Sequence, residues 1–122
     1  MSGGSGGGSA FGSALDLVTR VRGVRGAMLV ARPDGLVVAE QLMEGIKGGA
    51  VAALAASVTV RLQRAMGTAG LGSCQFWHLQ CDHGSLLAVT IGEAMLVVAV
   101  TEPDVNVGLV RLELLRVAES TA

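Results

Sequence analysis

The sequence predicts an α+β fold in which an antiparallel sheet lies between two layers of helices. Three patterns predict it: two apolar runs joined by a tight turn, a long helical run of small residues, and three short strand-like runs with brief turns between them. Along the 122 residues these elements stand in the order α-β-β-α-β-β-β-α. A chain of this length forms one domain and buries roughly two-thirds of its unfolded surface.

Composition narrows the classes of function. Hydrophobic residues make up 51% of the chain and charged residues 16%, which excludes global disorder. The net charge of -1 and the scarcity of aromatic side chains argue against a nucleic-acid partner. Residues 86–100 are strongly apolar, but Gly92-Glu93 interrupts them and they are shorter than the ~20 residues of a membrane span. We therefore expect no membrane insertion, a cytoplasmic location, and an apolar surface that pairs with another chain.

The amino-terminal region is rich in glycine and serine. Residues 1–12 hold six of the 18 glycines, so we expect a flexible tail there and a folded domain over residues 13–120. Ser13 is a candidate N-cap, with Asp16 three residues later, and Gly23 stands where a helix commonly ends. The apolar positions of this first helix are Ala14, Leu17, Val18 and Val21.

Two strands follow, over residues 24–31 and 36–40, and the turn between them contains Pro33, Asp34 and Gly35. Both runs are apolar at consecutive positions instead of alternating. A strand that is covered on both faces has this pattern, so we expect helices on each side of the sheet.

Residues 47–66 have the periodicity of a helix with two apolar stripes. The first stripe consists of Val51, Leu54, Ala55, Val58, Leu62 and Ala65, and the second of Ala53, Ala56, Ser57 and Val60. One stripe is sufficient for packing on a sheet. The second, of smaller residues, predicts close contact with another helix.

Three strand patterns come next, over residues 73–80, 85–91 and 94–100, and their short turns predict an antiparallel meander. A last helix extends to about residue 118, with Asp104 or Asn106 as its cap. Trp77 lies in the first strand of the meander, which is a candidate sheet edge. Its side chain packs either in the core or at a subunit interface.

Motifs for metal, nucleotide or covalent chemistry are weak. Metal-ligand residue types cluster at Cys74, His78, Cys81 and His83, but Cys81 has the opposite strand parity to Cys74 and His78. A cysteine nucleophile with a histidine base lacks a third orienting group. Neither of the common glycine-rich phosphate-binding motifs is present. We expect no metal, no cofactor and no catalytic residues, and therefore no enzyme.

Several segments, taken in order, resemble the roadblock family of dynein light chains and bacterial GTPase regulators. The matching segments are GVRGAMLV at residues 23–30, DGLVVA at 34–39, the alanine-rich helix, and NVGLVRLE at 106–113. The resemblance implies a profilin-like α/β/α sandwich. In it, a five-stranded antiparallel sheet in the order 2-1-5-4-3 carries one long helix on one face and two helices on the other.

The resemblance also implies function. Roadblock proteins are homodimers that join through the third strand and the second helix, which implies interface roles for Ala53, Ala56, Val60, Gln75 and Trp77. The family binds Ras-like small GTPases, and MglB-type members accelerate GTP hydrolysis without supplying an arginine finger. By this resemblance, the exposed cations Lys47, Arg61 and Arg64 are candidates to face the GTPase.

Two other functions remain open at this point. A scaffold that tethers a motor or signalling complex would use the same dimer without regulating a GTPase. A sensor domain would enclose a small molecule between a helix and the sheet, in a pocket of ~300 Å³ or more. The leading interpretation is a homodimeric module that binds and regulates a Ras-like small GTPase and is at most a non-catalytic activator.

Overall fold

The computed structural model of the chain describes residues 6–121. Within them, three helices and five strands follow the predicted order. They are α1 (Gly6–Thr19), β1 (Val24–Ala31), β2 (Leu36–Leu42), α2 (Gly48–Thr68), β3 (Phe76–Cys81), β4 (Gly84–Ile91), β5 (Met95–Thr101) and α3 (Val107–Thr121).

The strands form one antiparallel sheet in the order β2-β1-β5-β4-β3, which confirms the predicted topology. Helices α1 and α3 cover one face, where Leu15, Leu29 and Leu114 belong to one buried cluster. Helix α2 covers the other face, where Met28 and Ala55 belong to a second cluster. The chain is therefore a sandwich of three layers.

The first helix is longer than predicted. It begins at Gly6, so Ser13 lies inside the helix and the predicted cap there is wrong. Phe11 packs against the same cluster as Leu15, and the Gln41 side-chain amide donates a 2.8 Å hydrogen bond to the Gly12 carbonyl oxygen. These tertiary contacts stabilise a glycine-rich segment that would be a poor helix alone.

Part of the predicted tail therefore belongs to the fold, and the remainder, residues 1–5, lies outside the described residues. The helix also ends earlier than predicted, at Thr19. Gly23, with φ +93°, instead leads into β1 after an intervening turn.

Helices contact the second strand on both faces, as predicted: Val37 packs on the α2-side cluster and Ala39 on the cluster beneath α1 and α3. β2 is an edge strand in which Leu36, Val38 and Glu40 are exposed. Its register against β1 shifts between Leu29 and Val30, which is a β-bulge that leaves Val38 without a direct partner. The consecutive apolar residues therefore serve both faces at Val37 and Ala39, while the edge position and the bulge leave Leu36 and Val38 exposed.

The predicted cap of α3 includes the correct residue, whereas the predicted start of β3 is too early. Asn106 caps α3 as predicted, since its side-chain oxygen accepts a 3.0 Å hydrogen bond from the Leu109 amide. β3 starts later than predicted, at Phe76. Cys74, just before it, exchanges two hydrogen bonds with the Gln63 side chain and so is tied to α2 instead of extending the strand.

Helix α2 approaches the β1–β2 turn very closely at Gly35, which has φ +77°. A Cβ atom at Gly35 would lie 3.1 Å from the Ala53 Cα atom and 3.3 Å from the Ala56 Cβ atom. The small residues on this flank of α2 therefore have an explanation within one chain, because larger side chains would push the helix off the turn.

Gly35→Ala tests this packing, with Gly70→Ala as a matched control. Gly70 also has positive φ, +76°, but nothing lies within 4 Å of its added Cβ. We expect Gly70→Ala to cost about 1 to 2 kcal/mol of unfolding free energy from backbone strain alone. Gly35→Ala should cost about 1 to 3 kcal/mol more, because it also overpacks the helix contact. Urea denaturation measures both, and equal costs would contradict the close approach.

Candidate protein-interaction surface

The predicted small-residue stripe lies against the β1–β2 turn at Ala53 and Ala56. Ala56 is 3% exposed and packs towards Gly35 within the single chain, and its role at a dimer interface stays a prediction. Ala53 is exposed but borders the same turn, and Val60, two helical turns further on, shares its flank and is half-buried. The same helical row continues to Gln63, which is hydrogen-bonded to Cys74 just before β3.

Trp77 is buried in the core of the single chain, and its role at the dimer interface stays a prediction. It is 6% exposed, and its indole Nε1 donates a 2.9 Å hydrogen bond to the Thr59 hydroxyl. That hydroxyl in turn donates to the Ala55 carbonyl oxygen at 2.8 Å. The Trp77 side chain points from β3 to the sheet-facing side of α2. There its burial and the hydrogen bond of its indole N–H together hold the strand to the helix.

The third strand is nevertheless a sheet edge, as predicted. Among the described residues, β3 pairs only with β4. The Thr90 amide donates to the Gln75 carbonyl oxygen at 3.0 Å, so Gln75 and Thr90 are a hydrogen-bonded pair. In an antiparallel ladder every second residue after Gln75 then also directs its backbone groups towards β4. The backbone groups of Phe76, His78 and Gln80 therefore point to the unpaired side. Gln75 is exposed immediately before this edge, and its interface role stays a prediction.

Apolar side chains are exposed both on α2 and on β3. Leu54 is 50% exposed and Leu79 on β3 is 38% exposed. Around them are half-buried side chains that pack on the α2-side core. We call this set the α2–β3 surface: Val51, Leu54, Val58, Leu62, Leu79 and Leu86. Sequence reasoning placed Leu54 in the packed stripe and did not single out Leu79, although its position two residues after Trp77 puts it on the same strand face.

The three predicted GTPase-facing cations are exposed but do not form one patch. Lys47 precedes α2, whereas Arg61 lies 14 residues later, roughly 21 Å along a helix. Arg61 shares the row of Leu54 by helical spacing, and Arg64 shares the row of Val60. Residues 47–68 contain no Asp or Glu, so the outer face of α2 is cationic.

The metal-ligand residue types are dispersed. Cys74 lies before β3, and its thiol donates to the Phe76 carbonyl oxygen at 3.4 Å. His78 shares a strand face with Phe76, towards α3, whereas Cys81 and His83 are exposed near the β3–β4 turn. In the part of the chain that the structure describes, no three His, Cys, Asp or Glu side chains converge on a metal position.

The space between α2 and the sheet, where a sensor would hold its ligand, is filled by side chains. Met28, Val30, Ala52, Leu96 and Val98 are all 0% exposed there. A groove of about 700 Å³ lies elsewhere, open to solvent between α3 and the end of β4. None of the helices within residues 6–121 has the length and apolar character that a membrane crossing requires.

Comparison with known proteins agrees with this architecture. The sequence pattern of the Roadblock/LC7 domain matches residues 11–100, from α1 into β5. The chain belongs to the Roadblock/LC7 domain family. This roadblock domain is 34% identical over 102 residues to the uncharacterised protein MJ1340 of Methanocaldococcus jannaschii, covering 84% of this chain and 88% of MJ1340.

Two solved structures have the same roadblock fold. A structure described as MglB with tetrameric arrangement has a TM-score of 0.85 and 25% identity, and the match covers 94% of this chain and 87% of that one. The Roadblock/LC7 domain from Streptomyces avermitilis has a TM-score of 0.80 and 20% identity, covering 89% and 92%. The resemblance in the sequence is thereby confirmed at the level of family and fold.

A double-mutant cycle tests the Trp77–Thr59 hydrogen bond of this roadblock domain. Thr59→Val leaves the buried indole N–H without an acceptor, so we expect it to cost about 1 to 3 kcal/mol of unfolding free energy. In a Trp77→Phe background the indole donor is absent, and the same change should cost at least about 1 kcal/mol less. Urea denaturation followed by circular dichroism gives all four values. An identical cost in both backgrounds would contradict the bond.

Proposed function

We propose that this roadblock domain forms a homodimer that binds and regulates a Ras-like small GTPase in the cytoplasm, without catalytic residues of its own. One observation carries the proposal: β3 has an unpaired edge and exposes Leu79, and helix α2, whose Thr59 is bonded to Trp77 of that strand, exposes Leu54. An apolar surface next to an open strand edge favours pairing with a second copy, which covers both at once.

A two-fold axis at β3 would join the two five-stranded sheets into one continuous sheet. The backbone groups of Phe76, His78 and Gln80 would then find partners. The same axis would bring the two α2 helices side by side and antiparallel. Leu54 and Val58 would be buried between them, which supports the α2–β3 surface as the dimer contact.

The paired helices would also change the charge distribution. In an antiparallel pair, Lys47 of one protomer lies towards the Arg61 end of the other helix. Two separate cations of the single chain would then be grouped at each end of the dimer face. Because residues 47–68 contain no carboxylate, this face would attract an acidic partner surface. The known role of the roadblock family and the likeness to MglB support a small GTPase as that partner.

Changes that introduce a charge into the α2–β3 surface should separate the protomers. We expect Leu54→Asp and Leu79→Asp each to give the mass of a single chain in sedimentation at micromolar concentration, because each places an unpaired charge in an apolar contact. Leu36→Asp is the matched control: Leu36 is 64% exposed, but on the opposite sheet edge, and this variant should stay dimeric. A single-chain mass for the unmodified protein would overturn the proposal.

Partner binding is tested with a Ras-like small GTPase from the same genome, loaded with GDP or with a non-hydrolysable GTP analogue. We expect preference for one nucleotide state, and at least about a tenfold loss of affinity for the double variant Lys47→Glu with Arg61→Glu. Arg22→Glu, exposed at the α1–β1 turn, serves as the charge control and should bind normally. Equal binding of both states would favour a scaffold, and hydrolysis rates with added protein distinguish activation from binding alone.

A further inference from the structure

The sheet has a second open edge, at β2. Among the described residues, β2 pairs only with β1. This edge lies at the opposite end of the sheet from β3, so the proposed dimer leaves it uncovered. The strand contains no lysine and no proline, the residues with which many proteins protect an edge against unwanted pairing.

The backbone of β2 offers hydrogen-bonding groups to a further strand. The Met43 amide donates to the Arg25 carbonyl oxygen at 2.9 Å, which places Met43 in the bonded register with β1. By the alternation of an antiparallel ladder, Gln41 also faces β1, whereas Glu40 and Leu42 direct their N–H and C=O groups outwards. The outer side is therefore able to pair with an extended segment.

Large apolar side chains stand along the same edge. Leu36 is 64% exposed, Val38 is 46% exposed and Met43, just beyond the strand, is 62% exposed. The bulge at Val38 turns this side chain out of the regular ladder. An incoming strand would cover these side chains, which otherwise remain in water.

Between Arg32 and Lys47, the charged side chains along this edge are all acidic. Residues 33–46 contain Asp34, Glu40 and Glu44 and no lysine or arginine. All three carboxylates are exposed, and the one ion pair within residues 6–121 is Arg116 with Glu113, so none of the three has a cationic partner there. A second copy of this chain would bring two acidic edges together, which is unfavourable.

We propose that the β2 edge binds an extended segment of a partner protein, cationic and apolar in alternation, by strand addition. Main-chain hydrogen bonds to Glu40 and Leu42 hold the segment. Its apolar side chains cover Leu36 and Val38, and its cations meet the three carboxylates. This site is separate from the α2–β3 surface and does not depend on the proposed GTPase.

The test uses two acetylated, amidated nine-residue peptides as probes, one alternating lysine with valine and one alternating glutamate with valine. Fluorescence anisotropy should give at least about tenfold tighter binding of the lysine peptide. The double variant Glu40→Lys with Glu44→Lys should reverse that preference. Methylation of alternate backbone nitrogens in the lysine peptide should abolish binding, because it removes the ladder donors.

Hydrogen exchange locates the contact. The amides of Glu40 and Leu42 should exchange quickly in the free protein and slowly with the lysine peptide, while those of β3 should not respond. Leu79→Asp, which tests the dimer, should bind the peptide as the unmodified protein does, so the two proposals can fail separately. Slow exchange at Glu40 in the free protein would show that another segment already covers the edge. That result would overturn the proposal. So would slowed exchange at β3 instead of β2 when the peptide is added, and so would a complete absence of peptide binding.

Discussion

The fold depends on burying the central strands on both of their faces. Met28 and Leu29 are neighbours on β1, both 0% exposed, and they belong to the clusters on opposite sides of the sheet. Such a strand is stable only if helices cover each side. One long helix meets this requirement on one face, and α1 with α3 meets it on the other. The two-sided burial thus accounts for the three layers and leaves only the outer strands with open backbone groups.

That requirement also decides where function can lie. Helix α2 sits deep against the sheet because Gly35 and the small residues near Ala56 allow it. Ala56 is buried by this approach, whereas Leu54 stays half exposed on the same helix. The two sheet edges also differ in the chemistry of the residues around them. β3 adjoins an apolar and cationic helix, whereas β2 adjoins three unpaired carboxylates, so the two edges suit partners of different chemistry.

Local signals predicted the elements well and their orientation poorly. The sequence narrows the cap of α3 to Asp104 or Asn106 because capping involves only the first turn of a helix, and the structure has Asn106. The β1–β2 turn is evident from Pro33 and Gly35. Ser13 has an equally good capping signal, yet packing of Phe11 extends α1 beyond it. Periodicity found α2 but could not tell which apolar flank meets the sheet, since that depends on a turn distant along the chain. The strand order came from the family resemblance, not from spacing.

For the site residues too, the sequence predicts what depends on residue type and leaves open what depends on packing between distant segments. Lys47, Arg61 and Arg64 were predicted to be exposed, and charge makes that prediction easy. Trp77 was ambiguous because the sequence shows an edge strand without showing that α2 lies above it. The hydrogen bond from Trp77 to Thr59 has a consequence for the fluorescence of the protein. The chain has a single tryptophan, so its fluorescence comes from one position at the junction between helix and strand. Any event that slides α2 relative to β3 changes the surroundings of that indole, and the emission of the unlabelled protein reports it.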